Sequence, residues 1–272
     1  MSADPQVARQ LPVRVGPRSA AVLAVASLAG LAMFAWPLLA RPDPGAGQHA
    51  LDAPFVFLAV LPVLVVVVLA QLSEGGMDAK ALAMLGVLSA VNAALRPALG
   101  AGTAGIESVF FLLVLAGRVF GPGFGFVLGC TSLFASALLT AGVGPWLPFQ
   151  MLSAAWIGLG AGLLPRRVAG RWEIAMLVGY GIVAAYAFGL LMNLWFWPFV
   201  TDVSLPDASS ALSYRPGAAL GDNLARFLRY TVLTSTGGWD TGRAITNSVA
   251  ILAIGPAVLA VLRRAARRAS FG

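Results

Sequence analysis

The sequence predicts an all-α, polytopic membrane protein with both termini in the cytoplasm. Eight apolar stretches, each able to cross a bilayer or nearly so, fill most of the 272 residues. Hydrophobic residues make up 59% of the chain and charged residues only 11%, whereas a water-soluble surface takes roughly 25% charged residues. The basic residues fall mainly on alternate connections between the apolar stretches.

A spanning helix needs about 20 apolar residues because the hydrocarbon core is about 30 Å thick. Ala20 to Ala40 meets that length. Arginines Arg9 to Arg18 ahead of an apolar run also open a signal peptide, but this run is too long and lacks a clear cleavage site, so an uncleaved helix is expected. The Pro- and Gly-rich connection Arg41 to Pro54 leads to a second span, Phe55 to Leu72. Its run Val63 to Val68 has no polar side chain to line a site and suits a lipid-facing helix. Residues 1–78 therefore read as a cytoplasmic tail and an accessory two-helix segment, and residues 79–272 as a six-helix core. The core spans are Ala81 to Ala94, Ile106 to Ala116, Phe124 to Ala141, Phe149 to Leu164, Ile174 to Trp197 and Ala244 to Leu262. The first two of these are short. Both can extend into the Gly-rich stretch Gly100 to Gly105 if it is buried in protein or lines a cavity.

With the N-terminus inside, the cytoplasmic connections carry Arg9, Arg14, Arg18, Lys80, Arg118, Arg166, Arg167, Arg171, Arg263, Arg264, Arg267 and Arg268, two thirds of the 18 Lys and Arg. The outer set is Arg41, Arg96, Arg215, Arg226, Arg229 and Arg243. That bias follows the positive-inside rule and places the chain in the cell (plasma) membrane. It also accounts for the net charge of +7 without nucleic acid, since the arginines sit at span ends rather than along one polar face. Cys130 is the only cysteine and lies in an apolar run, and His49 is the only histidine and lies in a connection, so no metal site or cofactor is expected. No Walker motif, no G-x-S-x-G, no H-E-x-x-H and no aspartate-rich diphosphate motif occurs, so the chain does not read as an enzyme and its energy source lies elsewhere.

Charges beside hydrocarbon cost roughly 2.5 to 3.5 kcal/mol each, so retained ones line cavities or pair with one another. Here they gather toward the outer side. Asn92 and Arg96 end the third span and Glu107 begins the fourth. Trp146 and Gln150 open the sixth, Asn193 with Trp195 and Trp197 ends the seventh, and Trp239, Asp240, Arg243 and Asn247 lead into the eighth. Donors, acceptors and aromatic faces around an apolar cavity are the ingredients of a small-molecule site. The plainer readings are that Trp36, Trp195 and Trp197 are interfacial anchors and that Arg96 and Glu107 simply pair. The connection Pro198 to Arg243 is the longest, and within it Asn223 to Leu233 puts Leu224, Phe227, Leu228 and Val232 on one helical face, as a lid or an interfacial helix. On the third span, Ala79, Ala83, Gly86, Ala90 and Ala94 form a small-residue face open to close helix approach, either within this chain or with a separate membrane subunit.

The core resembles the substrate-binding S components of energy-coupling factor (ECF) transporters over about Ala79 to Arg268. The likeness is carried by the small-residue helix Ala83 to Ala94, by GIESVFFLLVLAGRVFG from Gly105, by GFGFVLGCTSLFASALL from Gly123 and by GPWLPFQMLSAAWIGLGAGLLPRR from Gly144. GWDTGRAITN from Gly238 is similar to actinobacterial members. The resemblance implies a six-helix bundle with both termini inside that binds a vitamin or related micronutrient from the outer side. It implies as partners a transmembrane coupling (T) subunit and two ABC ATPases, with Ala79, Ala83, Gly86, Ala90 and Ala94 as the docking face. Cobalamin or another corrinoid is the leading substrate. Gly86 breaks the family's alanine register, and the first two helices depart from its six-helix pattern. An ion-coupled secondary transporter relying on Glu107, or a structural membrane subunit, is the alternative.

Overall fold

A computed structural model describes residues 15–39, 79–98, 105–204 and 209–270, together with the isolated positions 62, 65, 66, 69 and 70. Among the described residues the chain is all-helical, as a bilayer demands of backbone that must satisfy its own hydrogen bonds. The elements are α1 (Pro17–Phe34), α2 (Trp36–Leu39), α3 (Ala79–Ala98), α4 (Val109–Phe120), α5 (Pro122–Leu139), α6 (Leu147–Leu163), α7 (Arg171–Ser204), α8 (Ser209–Leu212), α9 (Leu220–Thr231), a π-helical segment (Val232–Asp240) and α10 (Thr241–Ser270). Helices α1, α3, α5, α7 and the run Leu220–Arg268 are each long and apolar enough to cross a membrane. The expected second span, Phe55 to Leu72, lies outside the described residues except at those isolated positions.

Helices α3 to α7 and α10 form the core bundle, running alternately between an end marked by Glu107 and an end marked by Glu173. Their axis is α4. Every residue of α4 is buried except Val119, because α3, α5, α6, α7 and α10 all pack against it. At 12 residues it is roughly 18 Å long, well short of the hydrocarbon thickness. Its surroundings make the shortness tolerable, since Asn247 Nδ2 donates to the Glu107 carbonyl just ahead of it and its sides meet protein. Between α3 and α10 runs an apolar groove of about 420 Å³ floored by Phe111 and Leu112 of α4.

The closest pairing in the bundle is α5 against α6, and glycine makes it possible. Gly125 and Gly158 face each other so tightly that a Cβ on either would run into the other's backbone, and Gly129 meets the backbone at Ala154 in the same way. On the opposite side of α5, Ser89 of α3 shares a 2.7 Å hydrogen bond with Thr131, and Asn92 Nδ2 donates to Ser132 Oγ at 3.0 Å. Those contacts turn Ala81, Leu85, Ser89, Asn92 and Ala93 inward. The small-residue face Ala79, Ala83, Gly86, Ala90 and Ala94 is exposed as a consequence, so it does not pack within the described chain.

Helix α1 lies against α6 and α7. Trp156 Nε1 donates to Ser27 Oγ at 2.9 Å, and Phe34 meets Phe149 edge to face at 5.0 Å. The expected single span from Ala20 to Ala40 is broken at Ala35 into α1 and α2.

The structure corrects two readings and refines a third. The stretch Pro198 to Arg243 is not one long loop: α7 runs on to Ser204, and α9, the π segment and α10 follow one another without a break from Leu220. The stretch lacks the apolar length of a span, but Thr236 Oγ1 donates to the Thr231 carbonyl and Thr241 Oγ1 to the Thr236 carbonyl, stitching a widened helix. The apolar face of Asn223 to Leu233, expected as a lid or an interfacial helix, is divided. Phe227 is buried with Asn223, Tyr230 and Thr231, while Leu224, Leu228 and Val232 are exposed. The physical reason is that α9 turns its aromatic edge onto Trp197 of α7. Trp36, Trp195 and Trp197, moreover, are not interfacial anchors but sit fully inside an aromatic cluster. The extension of spans across Gly100 to Gly105 falls, apart from Gly105, outside the described residues.

Candidate functional site

Three helix ends deliver charge to one place. The last turn of α3 brings Arg96, the segment before α4 brings Glu107, and the first turn of α10 brings Arg243, with Asp240 closing the π segment just ahead. Glu107 takes a salt bridge from Arg96 at 3.0 Å through Oε1 and from Arg243 at 2.9 Å through Oε2. Arg243 Nη1 donates to Asp240 Oδ1 at 3.0 Å, and Ser235 Oγ donates to Asp240 Oδ2 at 2.9 Å. Two arginines meet two carboxylates, so the cluster is electroneutral, which is the condition for keeping four charges at membrane depth. Glu107 and Asp240 are both buried, and the arginines are only slightly open to solvent.

Local sequence explains the placement. Gly105, at φ +77, lies flat against the backbone of Trp239, an approach that a side chain would block. It thereby brings Glu107 to the π segment. Gly189 of α7 leaves space that the Asp240 carboxylate fills, and a Cβ there would collide with it. Phe188 sits 5.2 Å beneath the Arg243 guanidinium, a cation–π contact. Asn247 Nδ2 donates to the carbonyls of Glu107 and Arg243. Around this cluster Asn92 Oδ1, Ser108 Oγ and Asn247 Oδ1 are buried without a hydrogen-bond partner among the described residues.

Of the residues expected at the site, Arg96, Glu107, Asp240, Arg243 and Asn247 are joined directly, and Trp239 stands beside them, 44% exposed. Asn92 is spent on Ser132, with its oxygen left over. Trp146 is exposed at the start of α6 and bonds the Gly142 carbonyl at 3.2 Å, and Gln150 is half-buried one turn on; neither contacts the charged cluster. Asn193 lies one turn beyond Gly189 on α7, with its Nδ2 buried and unpartnered.

Sequence reasoning missed Phe188, Gly189 and Ser235, whose residue types carry no signal on their own. It also missed a second ionic cluster at the opposite end. There Glu173 holds Arg118 at 2.7 Å and Arg263 at 2.6 Å, and Arg118 also donates to the carbonyls of Leu164, Pro165 and Val168. A lone acid among the basic residues at the ends of these helices was the available clue. Sixteen residues of α7 separate Glu173 from Gly189, so the two clusters stand roughly 24 Å apart. Among the described residues no group of His, Cys, Asp and Glu could hold a metal ion.

Comparison with curated proteins gives no match, and comparison with solved structures gives none. A protein-family model, the ECF transporter substrate-specific component, matches residues 80–236. That stretch takes in Arg96, Glu107 and most of the bundle, and ends just short of Asp240 and Arg243. With a match over more than half of its length and a helical membrane bundle around the charged cluster, the chain belongs to the substrate-specific component family of ECF transporters.

Proposed function

We propose that this protein captures a vitamin or related micronutrient on the outer side of the cell membrane and delivers it for ATP-driven import by a separate coupling subunit and two ABC ATPases. The observation that carries this reading is the buried, electroneutral cluster Arg96, Glu107, Asp240 and Arg243, tied to three helix ends and ringed by unpartnered polar atoms. A ligand bearing polar groups can exchange with these internal pairs, so binding one molecule rearranges α3, α10 and the π segment together. Trp239 offers an accessible aromatic face beside it, and Asn92, Asn193, Trp146 and Gln150 complete the outer set. Cobalamin or another corrinoid remains the leading substrate, on the likeness of GWDTGRAITN to actinobacterial members.

Residues 79–272 are the substrate-binding core, and 1–78 an accessory segment. The Glu107 end faces outward and both termini face the cytoplasm, in keeping with the bias of basic residues. The exposed stripe Ala79, Ala83, Gly86, Ala90 and Ala94 is the surface that meets the coupling subunit, which its lack of packing among the described residues supports. Ion coupling through Glu107 is disfavoured, because its two carboxylate oxygens are already engaged by Arg96 and Arg243.

The test is to purify the protein in detergent and identify copurifying small molecules by mass spectrometry, beside a Trp239→Ala/Asp240→Ala variant. A vitamin present in wild type and absent from the variant is expected, with uptake in cells only when the coupling subunit and ATPases are present. Uptake by the chain alone would overturn the reading in favour of a secondary transporter.

A further inference from the structure

Helices α3 and α10 both pack on α4 but barely on one another, and the groove between them has no part in the charged cluster. Its walls are apolar side chains alone, with Leu88, Val91 and Leu95 of α3 facing Ala257, Val258 and Val261 of α10. Val91 is 47% exposed and Val261 61%, so the groove opens along its length toward the hydrocarbon. Its volume of about 420 Å³, at about 30 Å³ for a group the size of water, holds roughly fourteen methylenes, the bulk of one acyl chain.

Helical spacing puts positive charge at one end of this groove. Arg264 and Arg268 follow Val261 by three and seven residues, so they continue the groove side of α10, whereas Arg263 turns to the other side and binds Glu173 at 2.6 Å. On α3, Lys80 stands four residues before Met84 and eight before Leu88, on the groove side of that helix. At the far end Arg96 and Asn247 both bond Glu107. At about 1.5 Å per residue, Lys80 lies roughly 24 Å from Arg96 along α3 and Arg264 roughly 26 Å from Asn247 along α10, so the two cations reach the same level. Lys80, Arg264 and Arg268 are exposed, and among the described residues no carboxylate pairs with any of them.

We infer that this groove seats one acyl chain of an anionic phospholipid whose headgroup phosphate is held by Lys80, Arg264 and Arg268. Walls without polar atoms disfavour a water-borne ligand, and a basic cluster at the mouth of a groove between spanning helices selects an anionic headgroup over a zwitterionic one. Long basic side chains reach the headgroup level while their stems stay on the apolar wall. The coupling subunit does not compete for this surface, because the stripe Ala79 to Ala94 lies about 130° round α3 from Leu88, Val91 and Leu95. The bound lipid would bridge the first and last helices of the core, and it depends on the membrane bundle rather than on what binds at the Glu107 end.

The experiment places the full chain in nanodiscs of equal parts phosphatidylglycerol and phosphatidylcholine, then extracts it into detergent for native mass spectrometry. Wild type should retain one phospholipid and favour phosphatidylglycerol by about tenfold. Lys80→Gln/Arg264→Gln/Arg268→Gln should bring that preference near parity, and Ala257→Trp, which fills the groove but keeps the cations, should lose the retained lipid. Should the tryptophan disturb folding, Val91→benzoylphenylalanine, at a half-exposed position, reads the same contact in membranes, and its photo-adduct should be phosphatidylglycerol. Equal retention of the two lipids by wild type, an unchanged preference in the triple variant, or displacement of the lipid by excess inorganic phosphate overturns the site. So does a photo-adduct with residues 55–72 or with the coupling subunit, since either would then be the occupant of the groove. None of these readouts involves a copurified vitamin or uptake, so failure here is distinguishable from failure of the proposed function.

Discussion

Glu107 is the residue on which the charged cluster turns, since it alone touches both arginines. Glu107→Gln leaves Arg96 and Arg243 facing an amide at low dielectric, and a loss of about 3 kcal/mol is expected, measured as a lower melting temperature in detergent. Replacing Arg96 and Glu107 together by Met and Leu should recover part of that loss while still abolishing ligand capture, which separates the cluster's structural cost from its recognition role. Gly189→Ala tests the site more gently. Its methyl would displace the Asp240 carboxylate from Arg243 and Ser235, so ligand retention should fall at least tenfold, roughly 1.4 kcal/mol, while the protein still inserts and purifies. The pairing of Arg96 with Glu107 was legible in the sequence, because opposite charges at neighbouring span ends have few other partners. The role of Gly189 was not, because a small residue in an apolar helix looks the same whether it meets lipid or a carboxylate.

At the level of helices, the bundle depends on how near α5 and α6 can come. Gly158→Ala places a methyl against the backbone of Gly125, and the two helices must part or tilt. A cost of about 1 to 3 kcal/mol is expected from such overpacking, visible as a lowered melting temperature, whereas Gly179→Ala, with open space around it, should be neutral. Apolar length located α3, α5, α6, α7 and α10, since a bilayer selects helices by length and polarity alone. It could not locate the π segment, whose register is set by hydroxyl groups bonding carbonyls five residues back. That is why the stretch leading to Arg243 reads as loop although it is helix. Nor could residue types show which way α9 faces, because Phe227 and Leu228 are equally apolar and only tertiary contact with Trp197 chooses between them.

For the whole molecule, the arrangement of two ionic clusters at opposite ends of one bundle sets up a direct test of orientation. Cys130 is buried, so the wild type should resist a membrane-impermeant maleimide. Val143→Cys, beside the Glu107 end, should label in intact cells, and Ala169→Cys, beside the Glu173 end, only after permeabilisation. The reverse pattern would invert the assignment of the outer face. Composition made the membrane class legible, whereas the direction expected from the spacing of arginines is what the labelling decides. The place of α2 was hidden, since nothing in the residues around Trp36 foretells that this helix packs against α7 and α9.

The brevity of α4 bears on how the protein is made. Val109–Phe120 leaves the ribosome after α3 alone among the helices that will enclose it, and roughly 18 Å of apolar chain cannot bridge the bilayer unaided. Four of its five neighbours are synthesised later, α10 last of all. The segment is therefore fully enclosed only once α10 has been made. A nascent chain released before α10 would leave one side of α4 and Glu107 without their α10 partners.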